Sequence, residues 1–199
     1  TTTADSNTGV GYASLGANTT GASNVAVGSG ALDANTTANG NNAVGHNALG
    51  ANTTGASNIA IGQQAMTGNT TGSGNTAIGH VALADNTTAS NNTAVGYLAL
   101  NANTTGTESV AVGASAGLSQ TTGGENTLVG HKAGQTITSA GNNTLIGWRA
   151  GETNSTQAYL TAVGHSALRV NTSGVRNHAF GSFSLDANTT GGYNVAVGY

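Results

Sequence analysis

Four histidines occupy one position of a repeated pattern, and they are the side chains best suited to chemistry. His46, His80, His131 and His165 each follow a glycine that is itself preceded by Val or Ile. If three copies of the chain met along this face, each histidine would form a ring of three, a possible site for a metal ion or an anion. No two of these histidines lie in neighbouring repeats and no acidic partners accompany them, so we expect no metal and no cofactor. A column of stacked, flat side chains is the simpler interpretation, since aromatic residues fill the same position elsewhere, at Tyr12, Tyr97, Trp148 and Tyr199.

The carboxylates do not form a catalytic pair. They are scattered along the chain, at Asp5, Asp33, Asp85, Glu108, Glu125, Glu152 and Asp186. Glu108 and Glu125 stand at the same position of consecutive repeats, which makes them a like-charge pair rather than an acid and a base. The glycines also lack the G-x-G-x-x-G spacing of a phosphate-binding loop. We therefore expect that the chain is not an enzyme.

A recurring pair of threonines gives a second functional hypothesis. Thr19 and Thr20 have equivalents along the whole chain, such as Thr53 and Thr54. A flat lattice of hydroxyl groups is how several ice-binding solenoids are built, so ice binding through this Thr ladder is the alternative function. Adjacent residues point to opposite sides of an extended chain, so each repeat offers one outward Thr. The same block creates N-x-[ST] sequons, which would be glycan sites in a eukaryotic secreted protein.

Composition argues against several classes of protein. The chain has 199 residues, of which 37% are hydrophobic and 6% charged, with a formal net charge of −3. Too few large side chains are present to fill a conventional globular core. Four Lys and Arg residues cannot neutralise a phosphate backbone, so we expect no nucleic-acid partner. No apolar stretch is long enough for a membrane span, and the absence of Cys excludes disulfides.

A strict 17-residue repeat predicts the architecture. A glycine that follows an apolar residue recurs at a constant spacing of 17 from Gly11 to Gly198, without insertion or deletion; we call it the key glycine. Seventeen residues are too few for a two-helix repeat of about 33, and they suit one coil of a β-solenoid. We therefore predict an all-β chain, a single β-solenoid (parallel β-roll) of about twelve coils that runs continuously over residues 1–199. With coils about 4.8 Å apart, the rod is on the order of 55 Å long.

Each position of the coil has a predicted role. The block N-T-T-G is expected to form a corner, with Gly and Asn supplying positive φ. Two asparagine columns should stack into hydrogen-bonded ladders, since Asn amides can satisfy one another from coil to coil. The first ladder lies four residues before the key glycine and includes Asn24, Asn58 and Asn75; the second lies seven residues after it and includes Asn35, Asn52 and Asn86.

The residues before the key glycine predict two buried strand faces. The residue directly before it is always apolar, as in Val27, Ile61 and Val95, and the residue before that is nearly always Ala. Neighbouring strand residues point to opposite faces. The Ala can face the interior of the coil, whereas the Val or Ile needs a second surface, most simply another copy of the chain.

The core shows an exchange of large side chains. The fourth residue after the key glycine is usually Leu, as in Leu32 and Leu100, but three consecutive repeats have Gly there, at Gly117, Gly134 and Gly151. In the next two strands Ala is replaced by Leu128 and Leu145, and in the third unit Leu160 replaces a ladder Asn. We predict that the leucine and alanine positions face each other across one interior layer, because a close-packed core conserves volume.

The run N-x-A-[VI]-G-x-x-A, as in residues 24–31, 58–65 and 92–99, resembles the head repeats of trimeric autotransporter adhesins. It resembles still more closely the N-T-A-[IV]-G-x-x-A-L-x-x-N-T-T-G arrays of phage tail-fibre proteins. The adhesin resemblance implies a left-handed parallel β-roll that is trimeric, surface-exposed and used for attachment. The adhesin heads use shorter units, so their corner geometry need not transfer.

We therefore expect a structural segment of a fibre used for attachment, either an extracellular adhesin on a cell surface or a virion appendage. The expected partners are copies of the same chain, as a trimer or an end-to-end filament, and an unidentified surface receptor or glycan. We also expect residues 1–199 to be an internal piece of a longer fibre. Receptor contacts should involve side chains that break the repeat, which are concentrated in residues 118–159 and include Trp148, Arg149 and Tyr159.

Overall fold

One parallel β-sheet runs through the part of the chain that the structure, a computed structural model, describes, residues 4–199. Its twelve strands have three residues each: β1 (Thr8–Val10), β2 (Val25–Val27), β3 (Asn42–Val44), β4 (Ile59–Ile61), β5 (Thr76–Ile78), β6 (Thr93–Val95), β7 (Val110–Val112), β8 (Thr127–Val129), β9 (Thr144–Ile146), β10 (Thr161–Val163), β11 (His178–Phe180) and β12 (Val195–Val197). The predicted all-β solenoid is confirmed, and residues 4–199 contain no helix.

The strands pair in chain order with a constant register. Each strand is hydrogen-bonded to the next in the order β1 to β12. In β4 and β5, Ala60 pairs with Ala77 and Ile61 with Ile78, an offset of one repeat. Because every pair keeps this offset, identical positions of the repeat form columns along the rod.

Strand alternation separates the interior from the surface. In β2 to β11 the central residue is buried and its two neighbours are half-buried or exposed. The central Ala or Leu joins the Leu or Met column and a second Ala column in one continuous buried core. The β-branched residues on either side point outward, on the pleated surface that suits them.

The corners differ from the prediction. The key glycines have φ between 127° and 141°, a range open to glycine, but the glycines of the N-T-T-G block are not among the residues with positive φ. Left-handed conformations fall instead on the second, fourth and twelfth residues after the key glycine, which include Leu32 (51°), Val81 (51°) and Arg149 (56°). Bulky residues rarely adopt such angles, and here the hydrogen bonds to neighbouring coils hold them there.

Candidate functional site

The first asparagine ladder bonds side chains to backbone. Asn58 is fully buried; its Oδ1 accepts a 2.9 Å hydrogen bond from the backbone N–H of Asn75, and its Nδ2 donates to the carbonyl of Gly72 at 2.8 Å. Asn24, two repeats earlier, makes the same two bonds, to the Asn41 N–H and the Ala38 carbonyl. The ladder is therefore carried mainly by amide-to-backbone bonds, not by the amide-to-amide stacking we predicted.

The second ladder does stack amide on amide. Asn69 donates from Nδ2 to Asn52 Oδ1 at 2.8 Å and also to the Gly72 carbonyl at 3.0 Å. The Gly72 carbonyl thus accepts from both ladders, since Asn58 reaches it as well. A small residue is needed at this point because it packs against the next coil: a Cβ on Gly72 would lie 2.9 Å from the Nδ2 of Asn86. Alanine occupies the same coil position at Ala38, Ala89 and Ala140, so the contact favours a small residue there and does not require glycine.

One coil contains a paired substitution that the sequence analysis missed. Ser109 replaces a first-ladder Asn, and Gln120 replaces a second-ladder Asn eleven residues later. The longer Gln120 donates from Nε2 to Ser109 Oγ at 3.2 Å and accepts from Asn126 Nδ2 at 3.0 Å. A shorter side chain on one column is compensated by a longer one on the other. The signal was present, since both departures fall in the two interior columns of one coil.

Two apolar substitutions interrupt the ladders. Ile137 and Leu160 stand where the ladders otherwise have Asn, and both are buried. Nearby, Asn143 Nδ2 and Asn154 Oδ1 are buried without a hydrogen-bond partner. Residues 137–160 are therefore the part of the described chain in which the interior polar network is least complete.

The exchange of core leucines is confirmed for two of its three parts. A Cβ placed on Gly117 would lie 2.7 Å from Leu128 Cδ1, and one on Gly134 would lie 2.9 Å from Leu128 Cδ2 and 3.1 Å from Leu145 Cδ1. The third part was wrong, because the space beside Gly151 is filled by Leu145, at 2.7 Å, and not by Leu160. Ile137 also fills part of this space, since its Cδ1 would lie 2.8 Å from a Cβ on Gly134, so two leucines and one isoleucine occupy the space left by three leucines.

The outer strand face carries two parallel columns of side chains, of which one is apolar throughout. Val27, Ile61 and Val95 point away from the core, and Ile61 keeps 42% of its surface exposed. The column directly before the key glycine is apolar in every coil from Val10 to Val197, whereas the parallel column two residues earlier mixes Val, Ile, Thr, Asn and His. We call the first of these the outer apolar column. It is a continuous line of apolar side chains along the rod, Val or Ile in eleven coils and Phe180 in the other.

Rings at the histidine position stack where they stand in consecutive coils, in two separate groups. His80 lies 5.7 Å from Tyr97 with an interplanar angle of 4°, and Trp148 lies 4.5 Å from His165 with an angle of 14°. The ring centres of His131 and Trp148 are 6.3 Å apart, with an interplanar angle of 18°. His46 is exposed at the same coil position. Within residues 4–199 no three His, Asp or Glu side chains form a group suited to a metal ion.

The three predicted surface-contact residues divide between two corners. Trp148 and Arg149 are consecutive in the chain, with the Arg149 guanidinium carbon 4.4 Å from the Trp148 ring centre. Tyr159 lies at another position of the coil, where the Arg176 guanidinium carbon is 5.6 Å from its ring centre. The structure therefore does not combine Tyr159 with the other two in one patch.

The two threonines of each corner have different surroundings. Thr53 is half-buried and donates from Oγ1 to the Thr70 carbonyl at 3.0 Å, as Thr19 does to Thr36 at 2.9 Å, while Thr54 is exposed. Each coil therefore presents one exposed hydroxyl at this corner. The sequon asparagines of the inner coils, such as Asn52, are buried and hydrogen-bonded, so a glycan cannot be attached to them in the folded chain.

The described residues contain no enclosed pocket and no helix long and apolar enough to cross a membrane. Comparison of the chain with models of protein families, with curated proteins and with solved structures finds no match.

Proposed function

We propose that the chain is a structural segment of a trimeric attachment fibre, carried on a cell surface or a virion. The observation that carries the proposal is the outer apolar column. Apolar side chains occupy every coil of this column, although the parallel column two residues earlier accepts polar residues. A long apolar line of this kind favours burial against another protein surface.

A second copy of the chain is the natural partner for this surface. Identical rods have the same coil spacing, so the apolar column of one can pack against the same column of another along its whole length. Three copies around a common axis bury all three columns, as the resemblance to trimeric adhesin heads implies. A left-handed coil is part of that expectation. The attachment role follows from the same resemblance and from the long, uniform, weakly charged rod.

Single cysteine variants test this arrangement, because the natural chain has no Cys. Nitroxide labels on Ile61→Cys would lie close to the shared axis, and labels on Thr71→Cys, an exposed corner residue, would lie outside it. We expect electron–electron distance measurements to give a clearly shorter inter-chain distance for position 61 than for position 71. Equal distances, or no inter-chain signal, would overturn the trimer.

Ice binding is the second candidate, supported by the column of exposed hydroxyls that includes Thr54, Thr71 and Thr88. With one such hydroxyl per coil, neighbouring groups are about 4.8 Å apart. The corner offers a single column, and the preceding Thr of each pair has its hydroxyl bonded to the next coil. Thermal hysteresis of the purified chain tests this function directly: hysteresis abolished by Thr54→Val and Thr71→Val together would support it, and its absence would reject it.

A further inference from the structure

Positive charge is confined to one section of the rod. The four Lys and Arg residues all lie between residues 132 and 176, at Lys132, Arg149, Arg169 and Arg176. That section contains one carboxylate, Glu152, so its formal charge is +3. The remainder of the chain has six carboxylates and no Lys or Arg, so its formal charge is −6, and the two parts sum to the net −3.

Three of the four cations share one edge of the rod. Lys132 and Arg149 occupy the same coil position in consecutive coils, directly after His131 and Trp148. Arg149 Nε lies 3.3 Å from Glu152 Oε1, so the residue three positions later is beside it. Arg169 occupies the position of Glu152 in the next coil. We call Lys132, Arg149 and Arg169 the cationic stripe; it supplies one cation from each of three consecutive coils.

Arg176 belongs to a different corner. Its guanidinium carbon lies 5.6 Å from the ring centre of Tyr159 and 5.5 Å from that of Tyr193, and its Nη1 donates to Tyr193 Oη at 2.8 Å. It carries the same charge as Arg149 at a separate place in the coil. Arg176 is therefore a matched control for the stripe.

The rings beside the stripe present their edges to solvent. Trp148 stacks on His165 of the next coil at 4.5 Å, and the Arg149 guanidinium lies over the Trp148 ring at 4.4 Å. Rings that stack face to face along the rod have planes roughly perpendicular to the rod axis, so their edges point outward. The edge of an aromatic ring is the positive end of its quadrupole, and the indole and imidazole edges carry N–H donors. This surface favours anions, whereas stacking of nucleic-acid bases needs exposed ring faces.

We propose that the cationic stripe and the adjoining ring edges bind an acidic polysaccharide that runs along the rod. A linear chain of sugars with a carboxylate or sulfate on each unit carries regularly spaced charges, at a spacing comparable to the coil separation of about 4.8 Å. One cation per coil matches such a ligand, and Arg149 can form charge-assisted hydrogen bonds to its anionic groups. The inference rests on the proposed function, since it names the receptor class of an attachment fibre.

Binding of alginate, a polymer of carboxylated sugars, and heparin, which is sulfated, tests the proposal against neutral dextran. The variants are Arg149→Ser and the double variant Lys132→Ser/Arg149→Ser, with Arg176→Ser as the control. Serine already occupies these coil positions with the same left-handed φ, at Ser115, Ser166, Ser23 and Ser57. By biolayer interferometry we expect the chain to bind at least one polyanion, Arg149→Ser to bind it about tenfold more weakly, and the double variant more weakly still. Arg176→Ser should stay within about twofold of the natural chain.

Binding to only one of the two polyanions would identify the anionic group and support the proposal. Equal weakening by Arg149→Ser and Arg176→Ser would overturn it, as would equal binding of dextran, tighter binding of duplex DNA than of alginate, or no binding of either polyanion. Far-ultraviolet circular dichroism checks that each variant is folded; if Arg149→Ser is not, Lys132→Ser alone must weaken binding. The mass of the same samples separates the two proposals, because a monomer that binds through the stripe contradicts only the trimer.

Discussion

The key glycine is required for two independent reasons. Gly62 has a φ of 136°, a conformation that residues with a Cβ rarely adopt, and a Cβ placed there would lie 2.5 Å from the carbonyl oxygen of Gly79 in the next coil. Gly40 also has positive φ but does not share the second reason. At Gly40, with a φ of 69°, the nearest atom to an added Cβ is Ser57 Oγ at 3.7 Å.

We predict that Gly62→Ala lowers the free energy of unfolding by about 3 kcal/mol, because it combines strained backbone with a clash between coils. Urea unfolding followed by circular dichroism measures the loss. Gly40→Ser is the control, since serine stands at this coil position in Ser23 and Ser57; it should change stability by less than about 0.5 kcal/mol. Equal losses for the two variants would contradict this role of the key glycine.

Leu145 packs beside two glycines, and its truncation should therefore be unusually costly. We predict that Leu145→Ala lowers the free energy of unfolding by about 4–5 kcal/mol, near the top of the usual range, because space opens next to both Gly134 and Gly151. Adding Gly151→Leu should restore at least about 1 kcal/mol, because Leu occupies that coil position with a similar φ at Leu168. If the double variant is no more stable than Leu145→Ala in urea unfolding, the exchange between the two positions is refuted.

Residue-level sequence patterns predicted the direction of side chains better than their bonding. Strict alternation before the key glycine placed Ala inside and Val or Ile outside, and the Gly–Leu substitutions showed which positions share the core. The hydrogen bonds of Asn58 to backbone groups could not be predicted, because the repeat alone does not show which carbonyls face inward. The exchange of Ser109 and Gln120 could have been predicted by applying the same compensation argument to the polar columns.

At the scale of the element, a three-residue strand has no stability of its own. Each strand and corner is held by hydrogen bonds to the preceding and following coils, as expected for a structure in which each repeat contacts its neighbours. This explains why the left-handed conformations of Leu32 and Val81 were not predicted. Local preferences disfavour them, and the stacking of coils, which is a property of the whole column, overrides those preferences.

Coil stability should vary where the ladders are interrupted. Thr53 and Ser57 donate backbone hydrogen bonds to Thr70 and Asn39, but the structure shows no counterpart of these bonds for Ser155 and Tyr159. We predict that the amides of Ser155 and Tyr159 exchange with solvent at least about tenfold faster than those of Thr53 and Ser57. Hydrogen exchange measured by NMR compares the same coil positions directly. Equal protection would show that the interrupted ladders do not weaken this region.

At the scale of the whole molecule, one parallel sheet is built from a repeat without insertions. A single insertion would shift every later column out of register, so the constant spacing of 17 and the constant strand offset express the same constraint. The fold class was therefore predictable from the repeat alone. The division of the charge into an acidic and a cationic section was also visible in the sequence, but the placement of Tyr159 and Arg176 away from Trp148 required the geometry of the corners.

The proposed fibre requires that the outer apolar column is buried between copies of the chain. The solution mass of the natural chain tests it most directly, because an apolar line along the whole rod should hold copies together at low protein concentration. Sedimentation equilibrium over a wide concentration range measures this mass without assumptions about shape. We expect three times the 19.2 kDa mass of the single chain. A stable monomer of 19.2 kDa at every concentration would contradict it.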